Sequence, residues 1–280
     1  MRGDPTTPCA WANMLVRAWG PHFPVDVRQI ALEYSTRFPD PVRRIQEANV
    51  PTFEGALLPM PKGGWAILYN PAITSPGRIN FTLGHEWGHY LCHRLLRPDG
   101  IECGVRDVVG GSRDIEKEAD RFASYLLMPL VDFRAQVGGQ AMTGDLLRHC
   151  ADRYEVSLTA AALKWLEATD RCAAVVVATN GFVCWFKRSA AAEKAQLFWR
   201  PGTELPSQSV AAIGDLSGGS TGVSLPAGVW ADRPVSEVAI FADKYEMTVS
   251  LLVFEEREFI RSGWDAEDDG DVLDSFRSRE

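Results

Sequence analysis

The sequence predicts an α+β protein, in which a helix-rich unit with a small antiparallel sheet precedes a smaller β-rich unit. Apolar residues recur at helical spacing in three long segments, at residues 78–96, 115–128 and 143–168. Residues 55–59 and 65–69 flank a Pro/Gly turn, which is the pattern of an antiparallel strand pair. Beyond residue 170 the apolar segments become rich in β-branched residues, which favours strands.

The helix-rich unit is expected to occupy residues 1–168. Residues 10–38 mix apolar and charged positions at helical spacing around Pro21–Pro24, which predicts two short helices. Proline and glycine residues end each of the longer helices that follow. The last part, residues 143–168, has a helix-turn-helix rhythm, with Ser157 as the N-cap of its second helix.

The β-rich unit is expected to occupy residues 169–262, and a sensory role is one hypothesis for it. Strands are predicted at residues 173–178, 182–186, 238–241 and 247–254. Asn180-Gly181, between the first two, is the strongest short hairpin signal in the chain. Residues 263–280 are interpreted as a solvated acidic tail.

The charge balance argues against direct DNA binding. The 280 residues include 29 Lys and Arg against 37 Asp and Glu, which gives a formal net charge of -8. Nucleic-acid binding proteins neutralise phosphates with basic patches. Even the helix-turn-helix-like pair is not basic, because Arg148, Arg153 and Lys164 are outnumbered there by acidic residues. We interpret the pair as a packing unit, with contact to DNA or to a repressor as the alternative.

A cytoplasmic location without membrane attachment is expected. No run of about 18–20 apolar residues able to span a bilayer occurs, and the first residues lack the apolar core of a secretory signal. The 6 cysteines are scattered without a C-x-x-C pair. They are therefore expected to be reduced thiols without a metal-binding role, and Cys92 and Cys103 are expected only to pack.

The residues that indicate chemistry are His85-Glu86-Trp87-Gly88-His89, an H-E-x-x-H run inside a predicted helix. At about 100° per residue, the two histidines lie about 40° apart on successive turns, so both imidazoles can reach one ion. Imidazoles at this spacing commonly bind zinc. Glu86 lies about 60° from His89, which suits a general base acting on a nearby water molecule.

Glu116 is predicted to be the third metal ligand. The longer pattern H-E-x-x-H-x-x-G-x-x-H is excluded, because Leu95 stands where its last histidine is needed. Glu116 lies within the apolar arc of its helix, where zinc would explain the burial of a carboxylate. Glu118, about 160° away, stays open as the alternative ligand. Asp120, one turn after Glu116, is expected to accept the free N–H of a ligating histidine.

His93 continues the histidine stripe by one more turn. Three ligands spaced four residues apart on a straight helix would span about 12 Å, too far for one ion. His93 is therefore interpreted as a helix-end histidine, with support of a ligand as the alternative. Gly84 and Gly88 lie on another arc and would let a second backbone approach closely.

Two segments resemble the ImmA/IrrE family of bacterial and phage metallopeptidases. Residues 81–93 read FTLGHEWGHYLCH and residues 116–129 read EKEADRFASYLLMP. Typical members are similar to F-T-L-A-H-E-L-G-H-x-x-x-H and E-x-E-A-N-x-F-A-x-x-L-L-M-P. Trp87 replaces a common leucine, and Asp120 replaces a common asparagine. The resemblance covers the chain to about residue 168 and is only an outline beyond it.

The resemblance implies a zincin-like metallopeptidase fold and a zinc-dependent endopeptidase that uses one Zn²⁺. His85, His89 and Glu116 would hold the ion, and Glu86 would activate water. Family members cleave a helix-turn-helix transcriptional repressor and so release stress, phage or mobile-element genes. The resemblance therefore implies a repressor of this kind as the protein substrate.

The resemblance also implies where a substrate would bind. The strand at residues 65–69 would be the sheet edge that pairs with an extended peptide. Trp65, Ile67 and Tyr69 are thus candidate substrate-binding residues.

Two other functions stay open. One is a sensor or interaction protein that keeps the zinc site with little or no hydrolysis. The other is the peptidase-like member of a toxin–antitoxin pair. The identity of the substrate, the activating signal and the oligomeric state do not follow from the sequence.

Overall fold

The computed structural model describes residues 4–49, 53–103, 112–214, 221–242 and 247–255. In these residues the helices are α1 (Pro8–Trp19), α2 (Val27–Ser35), α3 (Pro76–His93), α4 (Ser112–Leu127), α5 (Leu130–Val137), α6 (Gly144–Tyr154), α7 (Leu158–Ala168), α8 (Ala190–Lys194) and α9 (Val210–Ile213). The strands are β1 (Val42–Glu47), β2 (Gly55–Pro59), β3 (Trp65–Tyr69), β4 (Ile101–Cys103), β5 (Ala173–Thr179), β6 (Phe182–Arg188), β7 (Val223–Leu225), β8 (Val235–Ala242) and β9 (Met247–Phe254). The predicted α+β class is confirmed, with two separate sheets.

The first sheet has the strand order β1-β3-β2-β4. β2 and β3 pair antiparallel, as predicted, and β1 pairs in parallel with the other side of β3. β3 therefore lies inside the sheet, and the prediction that it is a free edge is wrong. Trp65, Ile67 and Tyr69 are also buried, so neither their side chains nor the β3 backbone can receive an extended peptide. The edges of this sheet, within the described residues, are β1 and β4.

α3 is the predicted helix that carries the H-E-x-x-H run. It begins at Pro76, whose fixed φ and missing N–H suit the first turn of a helix. It ends at His93, three residues before the predicted end. Leu83, Trp87 and Tyr90 form the predicted core face and are buried. The opposite side of the helix is thereby turned toward β2 and α4.

α4 packs directly on α3, and two glycines make this possible. A Cβ at Gly84 would lie 3.3 Å from Ala123 Cβ, and one at Gly88 would lie 3.0 Å from Phe122 Cδ1 and 3.2 Å from Ala119 Cα. A side chain at Gly88 would require its neighbours to shift by a few tenths of an ångström, so the predicted close approach of a second backbone is confirmed.

α5, α6 and α7 form a helical layer beside this pair. Ser157 caps α7 as predicted, because its Oγ accepts a hydrogen bond from the Ala160 N–H at 3.1 Å. Asp132 on α5, a helix that the sequence analysis did not predict, accepts two hydrogen bonds from Arg153 at 3.0 Å and one from Tyr154 Oη at 2.6 Å. Burial raises the pKa of Asp132, but these hydrogen bonds outweigh burial and hold it below its usual value.

The second sheet is antiparallel, with the order β6-β5-β9-β8-β7. Asn180 and Gly181 join β5 to β6 with φ values of 51° and 81°, the left-handed pair of a type I′ hairpin. One face of β5 packs in the core of the helices, through Ala173, Val175 and Val177. Its other face packs in a second apolar cluster, through Ala174, Val176 and Ala178. The two units thus share a core, and their division into separate domains near residue 170 stays a prediction.

Residues 256–262 of the predicted β-rich unit and the predicted acidic tail at 263–280 lie outside the described residues. Among the helices that the structure describes, none is both long enough and apolar enough to cross a bilayer.

Candidate metal centre

α3 brings the two imidazoles of the H-E-x-x-H run to one point. The Nε2 atoms of His85 and His89 lie 2.9 Å apart. His89 has no exposed surface, and His85 is 8% exposed. The helical spacing of four residues therefore has the predicted result, since both ring nitrogens face the same small volume.

α4 brings a carboxylate to the same volume. Glu116 Oε2 lies 3.1 Å from His85 Nε2, and Glu116 Oε1 lies 3.3 Å from His89 Nε2. Glu118, the alternative ligand, points elsewhere and contacts His93. Of the two acids, the structure places Glu116 and not Glu118 beside the imidazoles.

The donor atoms fit a small tetrahedral cation. Zinc with ligands at about 2.0–2.1 Å holds its ligand atoms about 3.3 Å apart. The observed separations among His85, His89 and Glu116 run from 2.9 to 3.3 Å. Cys103, at the end of β4, belongs to the same group, in which one potential ligand atom from each residue lies within 4.8 Å of the others. The donor set of two imidazoles, a carboxylate and a thiol is one that zinc accepts.

Glu86 lies next to this group and is wholly buried. Neither oxygen of its carboxylate has a hydrogen-bond partner of normal geometry among the described residues, although the Cys103 thiol is a near neighbour. Burial raises the pKa of Glu86 to about 8, and nearby His85 opposes this shift. A buried carboxyl group without partners is costly in a structural role. It is suited to accept and release a proton.

The histidine and carboxylate pKa values show strong coupling. Burial lowers the pKa of His85, but its hydrogen bonds to Asp120 and Glu116 outweigh burial and raise it to about 10. Burial lowers the pKa of His89 to about 4. Burial raises the pKa of Glu116, but its hydrogen bonds with His85 and His89 outweigh burial and hold this pKa well below its usual range.

The second ring nitrogen of each of these two histidines contacts a further polar residue. Asp120 Oδ1 lies 2.9 Å from His85 Nδ1. His89 Nδ1 lies 3.0 Å from His93 Nδ1, and His93 Nε2 lies 2.9 Å from Glu118 Oε2. Because a carboxylate only accepts, His93 Nε2–H donates to Glu118, and the other ring nitrogen of His93, Nδ1, is then the acceptor for His89 Nδ1–H. With the protons placed in this way, the lone pair of His89 Nε2 faces the other potential ligands, which together with His89 are called the metal group (His85, His89, Cys103 and Glu116). His93 thus matches the alternative interpretation, the support of a ligand.

A cleft of about 210 Å³ opens over the group. Its walls include Glu86 and three of the four potential ligands, together with Glu54, Gly55, Phe81, Thr82 and Asp120. Trp65, Ile67 and Tyr69 are not among the residues that line it. The cleft is bordered instead by β2 and β4, through Gly55 and Cys103.

Cys103 is the member of the group that the sequence analysis missed. It stands on a three-residue strand and forms no recognisable spacing with another cysteine or histidine. Its place beside Glu116 depends on the pairing of β4 with β2, which is not a local signal. The expectation that Cys103 only packs is corrected by this geometry.

Comparison with solved structures supports the fold. The chain is similar to a Mycobacterium tuberculosis transcriptional regulator, with a TM-score of 0.56 and 13% sequence identity. The match covers 88% of this chain and 76% of that one. At this level of identity the similarity concerns the fold alone. Among curated proteins, none matches the chain significantly.

One family model matches the segment of the chain that contains the site. Residues 43–166 match the Peptidase_M78 model, described as the IrrE N-terminal-like domain. The matched segment runs from β1 to α7 and includes α3, α4 and every residue of the metal group. Residues 43–166 are therefore similar to the IrrE N-terminal-like domain, consistent with the family that the two sequence motifs resemble, and the match supports a metallopeptidase-like role for this part of the chain.

Proposed function

We propose that this protein is a zinc-dependent endopeptidase that cleaves a regulatory protein, specifically a helix-turn-helix transcriptional repressor in a stress or mobile-element response. The observation that carries the proposal is the Glu86 carboxylate, which is buried, without hydrogen-bond partners and adjacent to a group of zinc-type ligands. The family match to a peptidase model supports the same reading.

In this function His85, His89 and Glu116 hold the zinc ion, and Asp120 and His93 orient the two imidazoles. The chemistry that zinc supplies when bound is Lewis acidity toward water and the scissile carbonyl. Glu86 accepts the proton of the attacking water on its carboxylate and donates it to the leaving amine. Its raised pKa favours this role, because a base and acid in one group works best when its pKa lies near neutrality.

The substrate peptide is proposed to bind along β4 instead of β3. β4 is an edge of the first sheet within the described residues, and its last residue, Cys103, lines the cleft. An extended peptide can pair with the free backbone groups of such an edge. A regulatory substrate is supported by the family and by the structural neighbour, which is itself named a transcriptional regulator.

The test is the substitution Glu86→Gln, which keeps the size of the side chain and removes its basicity. We expect the variant to bind zinc as wild type does and to cleave at least about 10²-fold more slowly. The substrates are small helix-turn-helix proteins encoded beside the gene, incubated with zinc-loaded enzyme with and without a chelator. Glu33→Gln, an exposed change of the same chemistry on α2, is the matched control. Cleavage by Glu86→Gln at the wild-type rate would exclude the assigned role.

A second candidate is a sensor that keeps the zinc site without routine hydrolysis. The presence of Cys103 in the metal group favours it, because four protein ligands make a closed, structural type of zinc site. The two candidates separate in the same assay, since a sensor would leave every repressor intact with zinc present.

A further inference from the structure

The register of the first sheet directs the Cys103 side chain at the metal group. β4 pairs antiparallel with β2, with Cys103 opposite Gly55. Residues opposite each other in such a pair project to the same face of the sheet. A Cβ at Gly55 would lie 2.5 Å from Glu86 Oε1, so this face is the one turned toward the site. Because Gly55 has no side chain, it leaves the space beside Glu86 open to the Cys103 thiol.

The distances place the thiol at the fourth corner of the group. Cys103 Sγ lies 3.8 Å from Glu116 Oε1. In a tetrahedral site with a Zn–S bond of about 2.3 Å and Zn–N or Zn–O bonds of about 2.0–2.1 Å, sulfur lies about 3.6 Å from each other ligand. The sulfur also lies within 4.8 Å of a ring nitrogen of His85 and of His89, so a displacement of at most about 1 Å brings it to the position of a bound sulfur. A packing role does not account for a thiol held beside the carboxylates of Glu86 and Glu116.

We propose that Cys103 is the fourth zinc ligand, so that the resting site is closed and cleavage requires displacement of this thiolate. The inference rests on the proposed function, since it uses the same metal site. When the ion binds, the S–H bond of Cys103 is replaced by a metal–sulfur bond, and the proton leaves to solvent. No electron is transferred.

This arrangement gives the position of β4 a direct effect on activity. Catalytic zinc sites keep one position open for water or substrate, whereas structural sites fill all four with protein ligands. A partner or substrate that pairs with β4 and moves Cys103 away from Glu116 would convert the second kind of site into the first. In this proposal the same metal site is of the structural type when Cys103 is bound and of the catalytic type when Cys103 is displaced.

Cobalt substitution tests the inference on the full chain. Co²⁺ bound to a thiolate shows an intense sulfur-to-metal charge-transfer band in the near ultraviolet, which nitrogen and oxygen ligands do not give. We expect this band in the wild-type protein loaded with Co²⁺ and its loss in Cys103→Ser. Cys92→Ser, a half-buried cysteine on α3 outside the metal group, is the matched control and should keep the band.

The outcomes separate this inference from the proposed function. Cobalt bound by the wild-type protein without a charge-transfer band overturns the role of Cys103 and leaves the metal site intact. A band that persists in Cys103→Ser overturns it as well. If the wild-type protein binds neither cobalt nor zinc, the proposed function fails, and this inference fails with it.

A second measurement needs no variant. X-ray absorption of the zinc-loaded wild-type protein should show one sulfur neighbour at about 2.3 Å among nitrogen and oxygen neighbours at about 2.0–2.1 Å. A first shell without sulfur would contradict the proposal even if Cys103→Ser did not fold.

Discussion

Replacing Gly88 by alanine tests whether α3 and α4 need a glycine where they meet. Alanine is about 1 kcal/mol more favourable than glycine inside a helix, so helix propensity alone favours the change. The added methyl would lie 3.0 and 3.1 Å from Phe122 Cδ1 and Cβ and 3.2 Å from Ala119 Cα. Phe122 and Ala119 have no exposed surface, and overpacking of this kind costs about 1–3 kcal/mol. With three close atoms at once the cost is at the upper end, so we expect a net loss of about 1–2 kcal/mol.

Gly84→Ala is the matched control, because it adds the same methyl to the same side of the same helix. Its nearest atoms are Ala123 Cβ at 3.3 Å and Ala123 Cα at 3.5 Å. The overpacking term is therefore smaller and is offset by helix propensity, so stability should change by less than about 1 kcal/mol. Urea unfolding of the metal-free proteins, followed by circular dichroism, gives both free energies. Equal stabilities of the two variants would refute the argument that the close approach at Gly88 excludes a side chain.

Two further predictions concern residues around the site and in the helical layer. His93→Ala leaves the His89 Nδ1–H without its acceptor and should lower zinc affinity by about 10–100-fold, measured by competition with a chelator. Asp132→Asn weakens the hydrogen bonds from Arg153 and Tyr154 and should lower the free energy of unfolding by about 1–3 kcal/mol at neutral pH. Because folding lowers the pKa of Asp132, its contribution is present above the unfolded value of about 3.9 and disappears as the pH falls through the folded value. Urea unfolding at neutral and acidic pH measures this difference.

Each of these predictions has a matched control. His149→Ala removes an exposed histidine that contacts Gln136 and is neither a potential metal ligand nor part of the cleft wall, so it should leave zinc affinity unchanged. Asp145→Asn removes a carboxylate from an exposed ion pair with Arg148, which contributes at most about 1 kcal/mol. Wild-type zinc affinity in His93→Ala, or equal costs for the Asp132 and Asp145 variants, would contradict the reasoning.

The parts of the site that could be predicted are those with local signals. His85, Glu86 and His89 lie on one helix, so the helical repeat alone relates their positions. A local argument also favoured Glu116 over Glu118, because Glu116 is the carboxylate within the apolar arc of α4. In the structure these four residues lie around one small volume.

The parts that could not be predicted depend on pairing between distant segments. β1 has no alternation of apolar and polar residues, so its parallel pairing with β3 has no sequence signature. That pairing turns β3 from an edge into an interior strand and removes Trp65, Ile67 and Tyr69 from consideration as peptide-binding residues. Cys103 reaches the metal group only through the register of β4 with β2. His93 was interpreted as a helix-end histidine, because its contact with His89 depends on side-chain torsions that helical geometry does not determine.

The burial of β5 on both faces has a consequence for how the protein can be divided. Val175 and Val177 pack on the helical core. Burial of each of these side chains stabilises the folded state by about 1.5 kcal/mol or more. A fragment truncated after α7 would lack β5 and expose the apolar surface on which β5 packs, so we expect it to aggregate when expressed alone. For the same reason, a ligand that moved the strands of the second sheet would change the packing of α7, even if the ligand itself did not contact the helices.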